Sequence, residues 1–126
     1  AWIVHGSDGM DEITITGPTS VAQLKNNKVS RFVIEPSDAG LPVHSAEGLK
    51  GGTPEYNARA LTELLNGATN AYRDIVLMNT AAALVIASKA ENLKEGAKIA
   101  AGAIDNGKAQ HTLAQLIAVS WGKTHE

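Results

Sequence analysis

Apolar positions come in short runs or alternate with polar ones from Ala1 to Ile34, and recur at helical spacing from Tyr56 onward. Trp2-Ile3-Val4 is a continuous β-favouring run, which suits a strand buried on both faces of a sheet. Ile13-Thr14-Ile15-Thr16 alternates as a half-buried strand should, until Gly17-Pro18 interrupts it. Val21 to Leu24 resumes the pattern and Val29 to Ile34 returns it, with the turn formers Asn26-Asn27 between two lysines. These residues predict an antiparallel ribbon beside the opening strand. Glu35 to Pro54, rich in Pro, Gly, Ser and Asp, predicts a long irregular connection.

The second half of the chain predicts four helices. Thr53 is placed to cap the first, with Pro54 at its first position, an apolar stripe from Tyr56 to Leu65, and Asn66-Gly67 as its stop. A second, from about Asn70 to Ala90, is apolar on nearly every face between Ile75 and Ala87. Asn92 with Glu95 three positions on starts a third, whose Leu93, Ala97, Ala100, Ala101 and Ile104 share a face before Asn106-Gly107. The last, roughly Ala109 to Ser120, has Leu113, Leu116 and Ile117 on one side, and Trp121 to Glu126 reads as a fraying tail. A helix apolar all round is ordinarily wrapped by protein, and a strand of buried type at the very start needs neighbours at once. With Ala1 in place of a methionine, both features lead us to expect a fragment of a longer protein.

Composition narrows this picture. A length of 126 residues with 44% hydrophobic content suits a single core, and few aromatics among many alanines make that core one of small and aliphatic side chains. A net charge of -2 and the lack of a basic run give no general attraction to nucleic acid or anionic lipid. The absence of cysteine rules out disulfides, zinc-thiolate sites and thiol nucleophiles. The most apolar stretch, Ile75 to Ala87, is too short to span a bilayer, and no segment reads as a signal peptide, so the expected setting is the cytoplasm.

Several motifs fail on inspection. Gly122-Lys123-Thr124 looks like the end of a phosphate loop, but the earlier glycine that motif needs falls at Ile117 within a predicted helix. His5-Gly6-Ser7-Asp8-Gly9 sits where a hydrolase nucleophile elbow would, yet His5 occupies the place of its first glycine, so Ser7 is a poor nucleophile candidate. His44 reads as a solvated loop histidine, and Gly51-Gly52 as a turn. What survives is the acidic turn after the opening strand. Asp8, Asp11 and Glu12 either solvate a strand end or provide hard oxygen ligands for Mg²⁺, which is commonly bound by one or two carboxylates plus phosphate oxygens and waters. In a regular strand Asp11 and Glu12 would point to opposite faces, so convergence on one cation requires an irregular backbone, which Gly6 and Gly9 permit.

The stretch Val4-His5-Gly6-Ser7-Asp8-Gly9-Met10-Asp11-Glu12 resembles the signature of the anthranilate phosphoribosyltransferases. The likeness continues through Glu35 to Leu41, Leu49-Lys50-Gly51-Gly52, Asn57-Ala58, Leu65-Asn66-Gly67, Arg73 to Leu84 and Ile104 to Ala109. It covers nearly all of this chain and about the C-terminal third of the family's. The resemblance implies an α/β fold: the closing part, residues 1–126, of a large domain with a mostly parallel sheet flanked by helices, the helical N-terminal domain and the start of the sheet lying upstream. It further implies transfer of the phosphoribosyl group from phosphoribosyl pyrophosphate to anthranilate in tryptophan biosynthesis, with Mg²⁺ held by the pair Asp11 and Glu12, and Asp8 left as a turn residue. The pyrophosphate cradle, the acceptor site and the family's homodimer surface would precede Ala1, so the expected partners are those substrates and the rest of the parent chain, and the segment alone is expected to be inactive. Two other readings stay open: a non-catalytic binding or assembly module that keeps the fold, and a related glycosyl or phosphoribosyl transferase or nucleoside phosphorylase-like enzyme with another acceptor.

Overall fold

Two asparagines set the first long-range pairing. Asn26 and Asn27 adopt φ of 51° and 58°, the doubly left-handed turn whose twist matches that of flanking strands. It joins β2 (Thr19–Lys25) to β3 (Lys28–Ile34). β1 (Trp2–Gly6) lies on the other side of β2, giving a three-stranded sheet in the order β1-β2-β3 with both pairings antiparallel. The computed structural model describes residues 1–122. The rest of the expected tail, 123–126, including the Lys123-Thr124 part of the rejected phosphate-loop pattern, lies outside the described residues.

Register places Val4, Val21 and Phe32 side by side on the inner sheet face. Trp2 meets Phe32 edge to face, ring centroids 5.4 Å apart, and its indole N–H donates to Gln23 Oε1 at 2.8 Å. β1 is not buried on both faces as its apolar run predicts: Ile3 is 77% exposed on the outer face. Ala1 exchanges both backbone hydrogen bonds with Leu24. Alternation along the antiparallel ladder therefore turns the peptide groups of Trp2 and Val4 away from β2, making β1 an edge strand among the described residues. No parallel pair occurs there either.

After the sheet come 3₁₀ turns at Pro36–Ala39 and Ala46–Leu49, then α1 (Pro54–Leu65), α2 (Ala71–Ile86), α3 (Leu93–Asp105) and α4 (Lys108–Ser120). The expected caps are in place. Thr53 accepts from the Tyr56 amide, Asn70 from Arg73 and Asn92 from Glu95. The Glu95 carboxylate reaches back to the Glu91 amide, one residue beyond the position a reciprocal capping box would use. α2 stops at Ile86, short of Ala90. Ser88 takes the left-handed conformation at φ 56°, with Ser88 N donating to Val85 O and Lys89 N to Leu84 O, the same closure that Gly67 makes after α1.

The core explains the alanines. α2 and α3 pack so closely that a Cβ built on Gly96 would lie 2.8 Å from Ala81 Cα, and Ala82, Ala97 and Ala100 line the same seam. Ile15, Val21, Ile34 and Met78 join that seam to the sheet, while Leu64, Leu77 and Ile104 form a second cluster under α1. At one end of the seam the buried Arg73 guanidinium donates from Nη2 to both Asp105 oxygens, at 2.8 and 2.9 Å. α2 is wrapped only in part, with Ala83 and Ile86 exposed. α4 buries no residue, and Leu116 and Ile117 face outward. No helix among the described residues is long and apolar enough to cross a membrane.

Candidate functional site

The acidic turn starts where β1 ends, and Gly6 begins it. Its N–H donates to Met10 O at 3.0 Å and its carbonyl accepts from Gly9 N at 2.9 Å, closing a tight loop in which Gly9 has φ 92°. Gly6 is required by space: a Cβ there would stand 2.6 Å from Asp8 Oδ1 and 3.1 Å from Thr14 Cβ. Ser7 donates its amide to Pro18 O, tying the two sides of the turn together.

Asp8 organises the chain from Met10 to Thr16. Its Oδ2 accepts from the Thr14 hydroxyl at 2.6 Å and the Thr16 hydroxyl at 2.8 Å, and its Oδ1 from the Met10 amide at 3.2 Å. The Thr14 hydroxyl, supported by that of Thr16 and by the Met10 amide, holds the Asp8 carboxyl below its ordinary range against the opposing effect of partial burial. Thr14 also accepts from the Thr16 amide, and its own amide donates to Thr19 Oγ1. Ile13 to Thr16 is therefore not the strand its alternation predicts. Ile13 and Ile15 are buried, but so is Thr14, because the backbone bends to bring its hydroxyl onto Asp8.

Three residues further along the chain than any local signal reaches complete the frame. Asn79 of α2 donates from Nδ2 to Ile13 O at 2.8 Å and accepts at Oδ1 from Ile13 N at 3.1 Å. His44 donates its amide to Ile15 O, and its ring Nε2 lies 2.7 Å from Asp74 Oδ2. His44 is thus half-buried and paired rather than a solvated loop histidine, because the irregular connection folds back onto α2.

Between these anchors Asp11 and Glu12 stand exposed on a bend. The ion pairs among the described residues are His44–Asp74 and Arg73–Asp105, which leaves Asp11 and Glu12 without a cationic partner there. No group of three or more His, Asp or Glu side chains among the described residues is arranged to hold a metal. The pair is two adjacent hard oxygen donors with room around them, a set that suits a cation whose remaining ligands are phosphate oxygens and water. His5 is exposed on the outer sheet face and Ser7 Oγ lies beside Gly17, and neither side chain is hydrogen-bonded to an acid or a base among the described residues. Gly51-Gly52, expected as a turn, lies in irregular backbone before α1, where the Gly52 amide and carbonyl are both bonded to the Asn57 side chain. Asn79, which motif spacing does not single out, carries one signal in the sequence: it is the lone amide within the apolar run of α2.

The model of the glycosyl transferase family, a/b domain, matches residues 1–110. The chain belongs to this family. Among curated glycosyl transferases of this kind, the anthranilate phosphoribosyltransferase of Parvibaculum lavamentivorans is 59% identical over 125 residues, 99% of this chain and 37% of the relative. That of Rhodospirillum rubrum is 58% identical over 119 residues, 94% of this chain and 34% of the relative. The chain therefore spans about a third of the length of the relatives it matches. Among solved structures, anthranilate phosphoribosyltransferase from Thermus thermophilus matches with a TM-score of 0.84 at 31% identity, over 94% of this chain and 35% of that one. The Saccharomyces cerevisiae enzyme in complex with PRPP and Mg matches with a TM-score of 0.82 at 34% identity, over 90% and 33%. The resemblance read from the acidic turn and the α/β fold with its leading antiparallel ribbon are both borne out by these relatives.

Proposed function

We propose that this chain is the C-terminal part of the large α/β domain of a cytoplasmic anthranilate phosphoribosyltransferase, and that Asp11 and Glu12 hold Mg²⁺ for it. One observation carries the reading: the pair is free of other partners among the described residues and raised on a turn anchored at Asp8 on one side and Ile13 on the other. Similarity at 59% identity to an enzyme of that name, and to another solved in complex with PRPP and Mg, supports it. When bound there, Mg²⁺ neutralises charge on the pyrophosphate leaving group as a Lewis acid and template.

The chain's own residues orient the donor. Asp11 and Glu12 would hold the metal on the pyrophosphate side, and the clamped backbone on either side fixes the stretch from which both carboxylates reach it as the anthranilate amine displaces pyrophosphate from the anomeric carbon. The reaction calls for no protein nucleophile. On this reading the chain is inactive until joined by the remaining two thirds of the enzyme. The exposed apolar face of Ile3, Val29 and Val33 also suits the second reading, an assembly module without catalysis.

The test is Mg²⁺-dependent loss of anthranilate fluorescence when the chain is combined with the N-terminal two thirds of the Parvibaculum enzyme. Asp11→Ala with Glu12→Ala should lower the rate by about a hundredfold or more, a loss of roughly 3 kcal/mol of transition-state stabilisation. A rate unchanged by the double substitution overturns the assignment. A tight complex without turnover or response to Mg²⁺ favours the assembly module.

A further inference from the structure

Asn79 is out of place by every local criterion. An asparagine in a helix interior competes with the helix for its own backbone, and this one interrupts an apolar run in the middle of α2. Its side chain is nonetheless engaged on both sides of the amide: Nδ2 donates to Ile13 O at 2.8 Å and to Ile75 O at 3.0 Å, and Oδ1 accepts from Ile13 N at 3.1 Å. The partners fix which way the amide points, since two carbonyls face Nδ2 and one N–H faces Oδ1.

Binding the N–H and the C=O of the same residue reproduces what a neighbouring strand would do for Ile13. Burial of the Ile13 side chain needs no such grip, because apolar packing is non-directional; the two hydrogen bonds set orientation. Ile13 N belongs to the peptide linking Glu12 to Ile13, so the clamp fixes that peptide plane. Upstream, Asp8 Oδ1 holds the Met10 amide. Asp11 and Glu12 are thus the two residues strung between anchors, in a stretch without regular strand structure.

We infer that Asn79 is a positioning residue for the Asp11–Glu12 pair, setting the backbone from which both carboxylates reach one divalent cation. The inference rests on the metal-binding reading of the pair. α2 serves as the ruler, and its amide transmits the position of the helical core to the acidic turn.

The experiment titrates Mn²⁺, as a paramagnetic stand-in for Mg²⁺, into the ¹⁵N-labelled full chain and follows broadening of the amide signals around Asp11 and Glu12. Wild type should bind, and Asp11→Ala should abolish the broadening. Asn79→Ala should weaken affinity about tenfold, the scale of loss seen when a group supporting metal ligands is removed. Its Ile13 amide should exchange with solvent at least as much faster, while the Met78 and Ala97 amides stay protected. Should that variant not fold, Asn79→Gln keeps an amide in the helix but moves it by one methylene, and should weaken Mn²⁺ severalfold. Leu77→Val loosens the same helix within the second cluster, to which Ile13 does not belong, and should bind as wild type does. Wild-type affinity in the Asn79 variants, or an equal loss in Leu77→Val, overturns the positioning role and leaves the metal reading intact. Absence of broadening in wild type, or its persistence in Asp11→Ala, removes the metal reading and this inference with it.

Discussion

The segment from Gly6 to Thr19 and helix α4 are held in opposite ways. The first has almost no regular structure, yet it buries Ile13, Thr14 and Ile15 and is fastened by Asp8, Thr19, His44 and Asn79. The second is a regular helix of thirteen residues that buries none of them and packs mainly on α3. Regularity satisfies the backbone locally, whereas position in space comes from contacts that leave the element. A site that must hold two like charges side by side is better served by the irregular, fastened segment than by the regular, loosely attached one.

The comparison can be broken most severely at Gly6. Gly6→Ala places a methyl against a carboxylate that is itself pinned by three hydrogen bonds, and should cost about 3 kcal/mol of stability in urea unfolding. Thr14→Val, isosteric and fully buried, removes the shortest bond to Asp8 and leaves the Thr16 amide without its acceptor; about 2 kcal/mol is expected by the same measurement. A loss equal to that of a surface threonine would mean that the network does not hold the turn.

Asp8 gives the comparison a pH dependence. Its folded value is depressed, so its contribution is present above the ordinary carboxylate range and is lost as pH falls through the lowered folded value. The difference in urea midpoint between wild type and Asp8→Asn should be widest near neutral pH and close in acid. A gap that widens in acid would contradict the hydrogen-bond arrangement. At the other extreme, Leu116→Ser with Ile117→Ser on α4 should change stability by less than about 0.5 kcal/mol, because both side chains are already exposed, 62% and 49%. A loss of several times that value would show that this face is covered in solution.

Much of the fold was legible because its signals are local. The Asn26-Asn27 turn, the Thr53-Pro54 start, the Asn92 cap and the Asn66-Gly67 and Asn106-Gly107 stops each depend on the conformational preferences of one or two residues and on hydrogen bonds within a few positions. The acidic turn was legible as a pair of carboxylates flanked by glycines, and its family motif was readable in the same nine residues. Tertiary structure decided the rest. Alternation made Ile13 to Thr16 look like a strand, but the hydroxyl groups of that stretch found a carboxylate instead of a neighbouring strand. A run of three apolar residues could not say that β1 would lie at an edge of the sheet the described residues form, with Ile3 exposed there, nor could a lone histidine in a loop declare Asp74 as its partner. The grip of Asn79 on Ile13 spans 66 positions. Chain-local preferences fix which element forms; which elements meet depends on how their apolar faces pack together, and only after that packing do the polar groups that shape the site come within hydrogen-bond reach.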